Sequence, residues 1–469
     1  MAAGSEYDLA IIGAGSAAFA AAIRATSLGA RVALIEKGTV GGTCVNVGCI
    51  PSKHLLAASH TFKTAGAHPF SGVPTSQGAL DLKSLIARKD DVVGELRQEK
   101  YVDLAEHYGF ELVHGHARFA GPDRLDVDGR EVHARRFVIA TGAAPWAPPI
   151  EGLDRVGYLT STTAMELSDL PESLVVIGGN YIGLELGQVF ANLGSKVTIV
   201  EALDRIAPLE EPEISEQMTQ ILQDDAIRVI TSTQVSRVEG GPQKKVIARA
   251  GGGEIEIEIE AAEILVATGR RSVLDALALN AAGIELDDHG GLVLDETLRT
   301  TNPNVYAAGD VTGAPQFVYV AAAQGTLAAQ NAINSEERKM DYTALPRVTF
   351  TTPNIAAVGL TDEQAQAAGY VCECRVVELH HVPRARVNLD TRGLFKIVAE
   401  RQTGKVLGVH ALAENAGDVI LAGVYAVKFG LTITDLAETW APYLTMAEGI
   451  KLTAQSFTTE VELLSCCAA

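Results

Sequence analysis

The sequence is poor in cysteine, short of basic residues and without any long apolar run. Six cysteines in 469 residues are too few for a disulfide scaffold. Lys and Arg number 38 against 58 Asp and Glu, a formal net charge of −20. Nucleic acid and anionic membrane surfaces would both repel such a chain, so both are disfavoured as partners. No apolar stretch approaches the ~18–20 residues that span a bilayer. Residues 9–23 carry no acidic or basic side chain until Arg24, but no basic flank precedes them as a secretory signal requires. A soluble, cytoplasmic protein is expected. Hydrophobic residues at 47% and charged residues at 20% allow a large core. The length suggests two to four domains of ~100–200 residues each.

What the chain does have is a repeat at long range. Leu9-Ala-Ile-Ile runs into Gly13-Ala-Gly15-Ser-Ala-Ala18, then an alanine-rich helical stretch, then an apolar run ending at Glu36. This is a strand–turn–helix–strand unit with a dinucleotide fingerprint in its GxGxxA form. Gly13 permits the tight turn, Gly15 lets backbone approach a pyrophosphate, and small Ala18 brings helix onto strand. The helix N-terminus offers N–H groups and a positive dipole end to phosphate. Glu36 stands where a carboxylate accepts from ribose hydroxyls. Leu174-Val-Val-Ile then runs into Gly178-Gly-Asn-Tyr-Ile-Gly183, a helical stretch, residues 196–200 and Glu201. The spacing from first glycine to acid is 23 positions in both units. One fingerprint is weak; two with equal spacing and correct flanking strands are strong.

A second element repeats as well. Arg136-Phe-Val-Ile-Ala-Thr141-Gly142 and Glu263-Ile-Leu-Val-Ala-Thr-Gly269 are buried-type strands ending in the same tripeptide. Residues 254–260 alternate Glu and Ile, which reads as a surface strand with one solvated face. The fold expected is α/β, with two nested Rossmann-like dinucleotide-binding domains and a C-terminal α+β domain. The first spans 1–152 and resumes at 273–342, the second is inserted at 153–272, and the third covers 343–469. A polar linker at 334–342 leads into the last.

The six cysteines fall in three close pairs, Cys44/Cys49, Cys372/Cys374 and Cys466/Cys467. The first lies in Gly41-Gly42-Thr43-Cys44-Val-Asn-Val-Gly-Cys49-Ile-Pro-Ser-Lys53, just after the first fingerprint unit. Two thiols five apart at the start of a helix can face one another, and a helix N-terminus favours the reactive thiolate. This segment resembles the redox motif of the flavin-dependent pyridine nucleotide–disulfide oxidoreductases. The resemblance covers essentially the whole chain, including Ala-Ala-Gly309-Asp310 and Thr349-Phe-Thr-Thr-Pro-Asn-Ile-Ala.

The resemblance implies FAD in the first unit and a nicotinamide dinucleotide in the second. It also implies a homodimer whose active site uses the partner chain, with the last domain as the dimerisation domain. By that resemblance Cys49 lies next to the flavin and forms the charge-transfer complex, while Cys44 is the outer thiol that meets substrate. Lys53 and Glu185 match an ion pair near the flavin N5 and the nicotinamide. Tyr181 matches the aromatic that covers the nicotinamide pocket. Gly38, Gly42, Thr43, Ala117 and Val318 match positions lining FAD, and Asp310 closes over its ribityl and pyrophosphate.

Two departures choose the branch. Disulfide-reducing members carry a His as acid–base group near the C-terminus. Aligning on Glu448 places Tyr443 there. An unperturbed Tyr titrates near ~10 and a His near ~6.5, so Tyr is a poor proton shuttle at neutral pH. It remains a hydrogen-bond donor or an oxygen ligand. The second departure is the tail Leu464-Ser-Cys466-Cys467-Ala-Ala, where vicinal thiols at a terminus suit capture of a soft metal. Together they match the branch that reduces Hg(II) to Hg(0). That implies capture of thiol-bound Hg(II) by Cys466 and Cys467 of one chain and transfer to Cys44 and Cys49 of its partner. Tyr181 and Tyr443 would flank the inner site. No Cys-x-x-Cys segment precedes the first strand, so capture is expected to rest on the tail or on a domain outside this sequence.

NADPH is the expected reductant, by the resemblance; Glu201 argues for NADH, and Arg205 serves a 2′-phosphate only if its loop turns back. The main alternative is a dihydrolipoamide dehydrogenase-like disulfide oxidoreductase, which needs the His that Tyr443 replaces. A thiol-based sequestering protein would leave both dinucleotide units without purpose. Cys372 and Cys374 read as ordinary strand cysteines, and His380-His381 as a turn or surface feature. Trp146 and Trp440 read as core or interface aromatics, and Glu448 has no assigned role.

Overall fold

The computed structural model describes residues 7–464. The chain forms two compact units. One comprises the segments up to His54, Ser84–Trp146 and Gly269–Met340; the other comprises Leu55–Lys83, Ala147–Thr268 and Asp341 onward.

The first unit is built on a parallel sheet. Strand Tyr7–Ile12 lies between Val32–Glu36 and Arg130–Ile139. Glu111–His114 and Val305–Ala307 extend it on either side. Leu9, Ala10 and Ile11 are fully buried, as are Ala33 and Leu34. Strands covered on both faces read as unbroken apolar runs, and these do. Each large aliphatic side chain so buried contributes roughly 1.5–3 kcal/mol. Helix Ser16–Ser27 packs closely on helix Val318–Asn334. A Cβ on Gly325 would overlap the carbonyl of Ala17, so small residues on both helices set that approach.

The second unit holds three sheets. Strands Arg228–Ile230, Lys196–Val200, Ser173–Ile177 and Glu263–Val266 form a parallel sheet in that order. Thr233–Glu239, Lys244–Ala250 and Ile255–Ala261 form an antiparallel meander. In its last strand Glu256, Glu258 and Glu260 are exposed while Ile259 and Ala261 are buried. The Glu/Ile alternation is therefore a strand with one wet face, and Lys245 sits 3.5 Å from Glu258 and 3.7 Å from Glu260.

The third sheet is antiparallel, in the order Pro346–Thr349, Asn354–Gly359, Val406–Ala413, Leu394–Glu400, Cys372–Glu378. Helix Ala416–Phe429 covers its centre, and helix Glu448–Gln455 packs on Leu394–Glu400. The first of these helices leaves Leu421, Tyr425 and Phe429 exposed at a spacing of four, a continuous apolar stripe. Trp440 is 93% exposed in the single chain, so it is not a core residue. Trp146 carries the Arg271 guanidinium 4.0 Å above its ring. Among the described residues no helix is long and apolar enough to cross a membrane.

Candidate active site

Two dinucleotide cradles are built in the same way, one in each unit. Gly13 has φ +111°, and a Cβ there would overlap the carbonyl of Ala140. Gly178 has φ +109°, and a Cβ there would lie 2.6 Å from the carbonyl of Ala267. Ala140 and Ala267 are the alanines of the two Ala-Thr-Gly repeats. Each repeat therefore exists to stand against the first glycine of its own fingerprint. A Cβ at Gly183 would overlap Gly178, and Ala18, in the corresponding place, is fully buried.

The acidic residues hold these turns. The Glu36 carboxylate accepts the N–H groups of Ala14 and Gly38, each at 2.8 Å. Glu201 accepts those of Gly179 at 2.7 Å and Leu203 at 2.8 Å. Helix Ser16–Ser27 begins at Gly15 without a side-chain cap, leaving its first N–H groups for a phosphate. In the second unit Asn180 caps helix Tyr181–Leu193 by accepting from Tyr181 N–H at 2.9 Å. Glycines without room for a Cβ, an open helix start and a ribose-level carboxylate fit a bound dinucleotide.

The thiol pair is seated on the first cradle. Gly42 opens the short helix Gly42–Val47, and a Cβ on it would lie 2.5 Å from the Cα of Gly15. Gly41 N–H donates to Ala14 O at 2.8 Å. Cys44 rides on that helix, and Cys49 begins the next, Cys49–Gly66. Gly48 separates them, and a Cβ there would lie 2.9 Å from Thr43 O. The Cys44 thiol hydrogen-bonds to Cys49, and this bond together with burial holds its pKa far above the usual thiol range. The Lys53 ammonium, one helical turn beyond Cys49, acts in the opposite direction.

Two neighbours of this pair were not singled out in the sequence. Tyr101 lies in a π-helical turn, Gln98–Val102, with its hydroxyl 3.1 Å from Ser16 Oγ and its ring edge-on to Phe19. Burial raises its pKa, and the charges of Cys44 and Cys49 add to that rise. Arg270 follows the second Ala-Thr-Gly directly. Its guanidinium donates to Thr43 Oγ1 at 3.3 Å and to the Ala143 carbonyl. It also counters the burial that pushes the Asp310 carboxyl upward. Only its place after Gly269 could have pointed to Arg270. Nothing local marked Tyr101, which meets Ser16 across 85 positions of sequence.

The remaining residues fall as follows. Thr141 Oγ1 donates to Val273 O at 2.7 Å, and Gly142 and Gly269 adopt positive φ. Ala117 is buried at the start of strand Ala117–Gly121, while Val318 opens its helix half-exposed. In the second unit Tyr181 and Glu185 share one helix face, and Glu185 is buried with Oε1 accepting Phe350 N–H at 2.9 Å. Tyr443 is 51% exposed in the single chain. Cys466 and Cys467 lie outside the described residues. Cys372 and Cys374 occupy strand Cys372–Glu378, and burial with nearby Asp362 pushes Cys374 up to about 12. Among the described residues no group of three or more His, Cys, Asp or Glu could hold a metal ion.

Two dinucleotide cradles and a dithiol seated on the first define a flavin- and pyridine-nucleotide-type redox protein. The chain belongs to the pyridine nucleotide-disulphide oxidoreductase family, whose model matches residues 7–325, with the family's dimerisation domain at 345–454. Membership implies FAD and NAD(P)H as cofactors. It is 54% identical to a mercuric reductase of Streptomyces lividans over 98% of each chain. A mercuric reductase of Bacillus cereus is 52% identical, over 99% of this chain and 73% of that one. Among solved structures it is similar to the Cu(II) complex of the HOCl-induced flavoprotein disulfide reductase RclA from Escherichia coli. There the identity is 32% and the TM-score 0.84, covering 94% of this chain and 98% of that one.

Proposed function

We propose that this protein reduces thiol-bound Hg(II) to Hg(0) at the expense of NADPH, in the cytoplasm, as a homodimer with shared active sites. The observation that carries the reading is full-length similarity to mercuric reductases combined with the hydrogen-bonded Cys44/Cys49 pair. Tyr443 in place of an acid–base His argues against disulfide exchange. The dimerisation-domain match and the exposed stripe of Leu421, Tyr425 and Phe429 support the homodimer.

The residues divide the work by chemistry. Gly13, Gly15, Ala18, Glu36, Gly38, Gly42, Thr43, Ala117, Thr141, Gly142, Asp310 and Val318 would hold FAD. Gly178, Gly183, Glu201 and Gly269 would serve the nicotinamide dinucleotide, with Tyr181 over its pocket. FAD, when bound, relays the two electrons of a nicotinamide hydride to the substrate. Cys466 and Cys467 of one chain take Hg(II) from small thiols, and Cys44 and Cys49 of the partner take it from them. At each exchange one Hg–S bond forms as another breaks, and the proton of the incoming thiol leaves with the departing sulfur. The metal is never without sulfur ligands. Two electrons then convert Hg(II) to Hg(0), and Cys44 and Cys49 remain as thiolates. Lys53 supplies positive charge beside them, and Glu185 would serve the nicotinamide side. Tyr443 offers a hydroxyl to the bound ion.

The preference for NADPH is taken from the resemblance, and Arg205 is the residue that would serve its 2′-phosphate. Glu201 accepts two backbone N–H groups, as Glu36 does, and keeps lone pairs for ribose hydroxyls. Arg205 is more loosely held, 3.6 Å from Asp204 and 3.4 Å from the Pro208 carbonyl, so it can turn to a 2′-phosphate.

The test compares NADPH oxidation by flavin-loaded protein with Hg(II) bis-thiolate and with lipoamide as acceptors. Hg(II)-dependent turnover that disappears in Cys49→Ser supports the reading; lipoamide turnover without Hg(II) turnover overturns it. Cu(II) belongs beside Hg(II) in that assay, because a solved neighbour is a Cu(II) complex.

A further inference from the structure

Residues 442–448 form a closed turn around Tyr443. Thr445 Oγ1 donates to the Pro442 carbonyl at 2.8 Å. The N–H of Glu448 donates to the Thr445 carbonyl at 3.3 Å. The Glu448 carboxylate reaches back to accept the N–H of Leu444 at 2.8 Å. Leu444 has φ +59°, a left-handed conformation in a residue that carries a Cβ. Such a conformation costs roughly 1–2 kcal/mol and persists only where neighbours over-determine it. Glu448 is one of those neighbours, since a charged acceptor makes a stronger bond than a neutral one.

We infer that Glu448 is a positioning residue for Tyr443, acting through the backbone N–H of Leu444. The bond fixes the peptide plane that joins Tyr443 to Leu444. With that plane fixed, the Cα of Tyr443 is fixed, and only its ψ and side-chain torsions are left to place the phenol. Glu448 is also the first residue of helix Glu448–Gln455, where a carboxylate is favoured by the helix dipole. It is therefore held at both ends, by the helix it starts and by the turn it closes. Burial pushes its carboxyl upward, while the N–H groups of Leu444 and Thr445 act against that rise. This inference rests on the proposed role of Tyr443 at the metal, and its test separates the two.

The holoenzyme is compared with Glu448→Ala, Glu448→Gln, Tyr443→Phe and the double variant Glu448→Ala/Tyr443→Phe. The expected result is an about tenfold loss of kcat/KM for Hg(II) in Glu448→Ala. In the Tyr443→Phe background the same change should cost less than twofold, because the group being positioned is already gone. Glu448→Gln should keep activity within about twofold, since its amide oxygen still accepts from Leu444. NADPH-dependent ferricyanide reduction should be unchanged in Glu448→Ala and Glu448→Gln. A second readout needs no mercury. With fluorotyrosine incorporated, the fluorine resonance that vanishes in Tyr443→Phe should move in Glu448→Ala and stay in Glu448→Gln.

Equal losses in both backgrounds, or a Tyr443 resonance that does not move, overturns the inference. If Glu448→Ala fails to fold, Glu448→Asp replaces it, since it keeps the charge at the helix start and loses the reach to Leu444. Wild-type protein without Hg(II) turnover refutes the functional reading alone, and the resonance still decides the role of Glu448.

Discussion

Gly15 and Gly42 meet backbone to backbone: a Cβ on Gly42 would lie 2.5 Å from the Cα of Gly15. The phosphate-binding turn and the start of the redox helix are thus one packed joint. This joint brings Cys44 and Cys49 to the cofactor cradle. Gly42 also has φ +64°, where a side chain is strained. Gly42→Ala therefore combines left-handed strain with overpacking, together about 2–5 kcal/mol. The purified variant should show a melting temperature lower by several degrees and substoichiometric flavin, read from the ratio of absorbance at visible and ultraviolet maxima.

Cys44 is held protonated by its bond to Cys49 and by burial. Removing Cys49 removes the larger of these effects, so the Cys44 pKa falls toward the usual thiol value. More thiolate at a given pH means faster alkylation. Iodoacetamide should label Cys44 several-fold faster in Cys49→Ala than in wild type at pH 8, as followed by mass spectrometry. An unchanged or slower rate would show that the two sulfurs do not share a proton.

His410 is fully buried beside Glu211 and Lys396, and burial lowers its pKa to about 4. Its Nε2 lies 3.0 Å from the Leu360 carbonyl, and its Nδ1 has no partner among the described residues. The unfolded chain takes up a proton near pH 6.5, whereas the folded chain does not until about pH 4. Between those values the unfolded state binds more protons, so stability falls as pH falls. The full loss is about 3 kcal/mol. Urea unfolding at pH 7 and pH 4.5 should show this decline in wild type, and His410→Gln should flatten it.

Arg205 is predicted to discriminate between the nicotinamide cofactors. Arg205→Ala should raise the KM for NADPH about tenfold and leave that for NADH within twofold, measured by steady-state oxidation. Equal effects on both cofactors would return the discrimination to Glu201.

The sequence made the two fingerprints legible because turn geometry admits few residues at Gly13, Gly178 and Gly183. It made the Cys44/Cys49 pair legible because glycines crowd around it. The purpose of the Ala-Thr-Gly repeats was not legible, since Ala140 meets Gly13 and Ala267 meets Gly178 across long separations in sequence. The same holds for Lys396, whose ammonium meets Glu211 at 2.9 Å and Glu213 at 2.8 Å across the second unit. Burial opposes that charge, yet the two carboxylates hold its pKa above the ordinary range. The Leu444 conformation and the reach of Glu448 to it also left no local signal.

The most direct measurement of the central claim is mercury mass balance. Flavin-loaded protein is given NADPH, excess small thiol and Hg(II), and the vapour is trapped and weighed against NADPH consumed. The account predicts one Hg(0) released for each NADPH oxidised, with none from Cys44→Ser or Cys49→Ser. NADPH consumption without mercury vapour, from protein carrying a full complement of flavin, would contradict it.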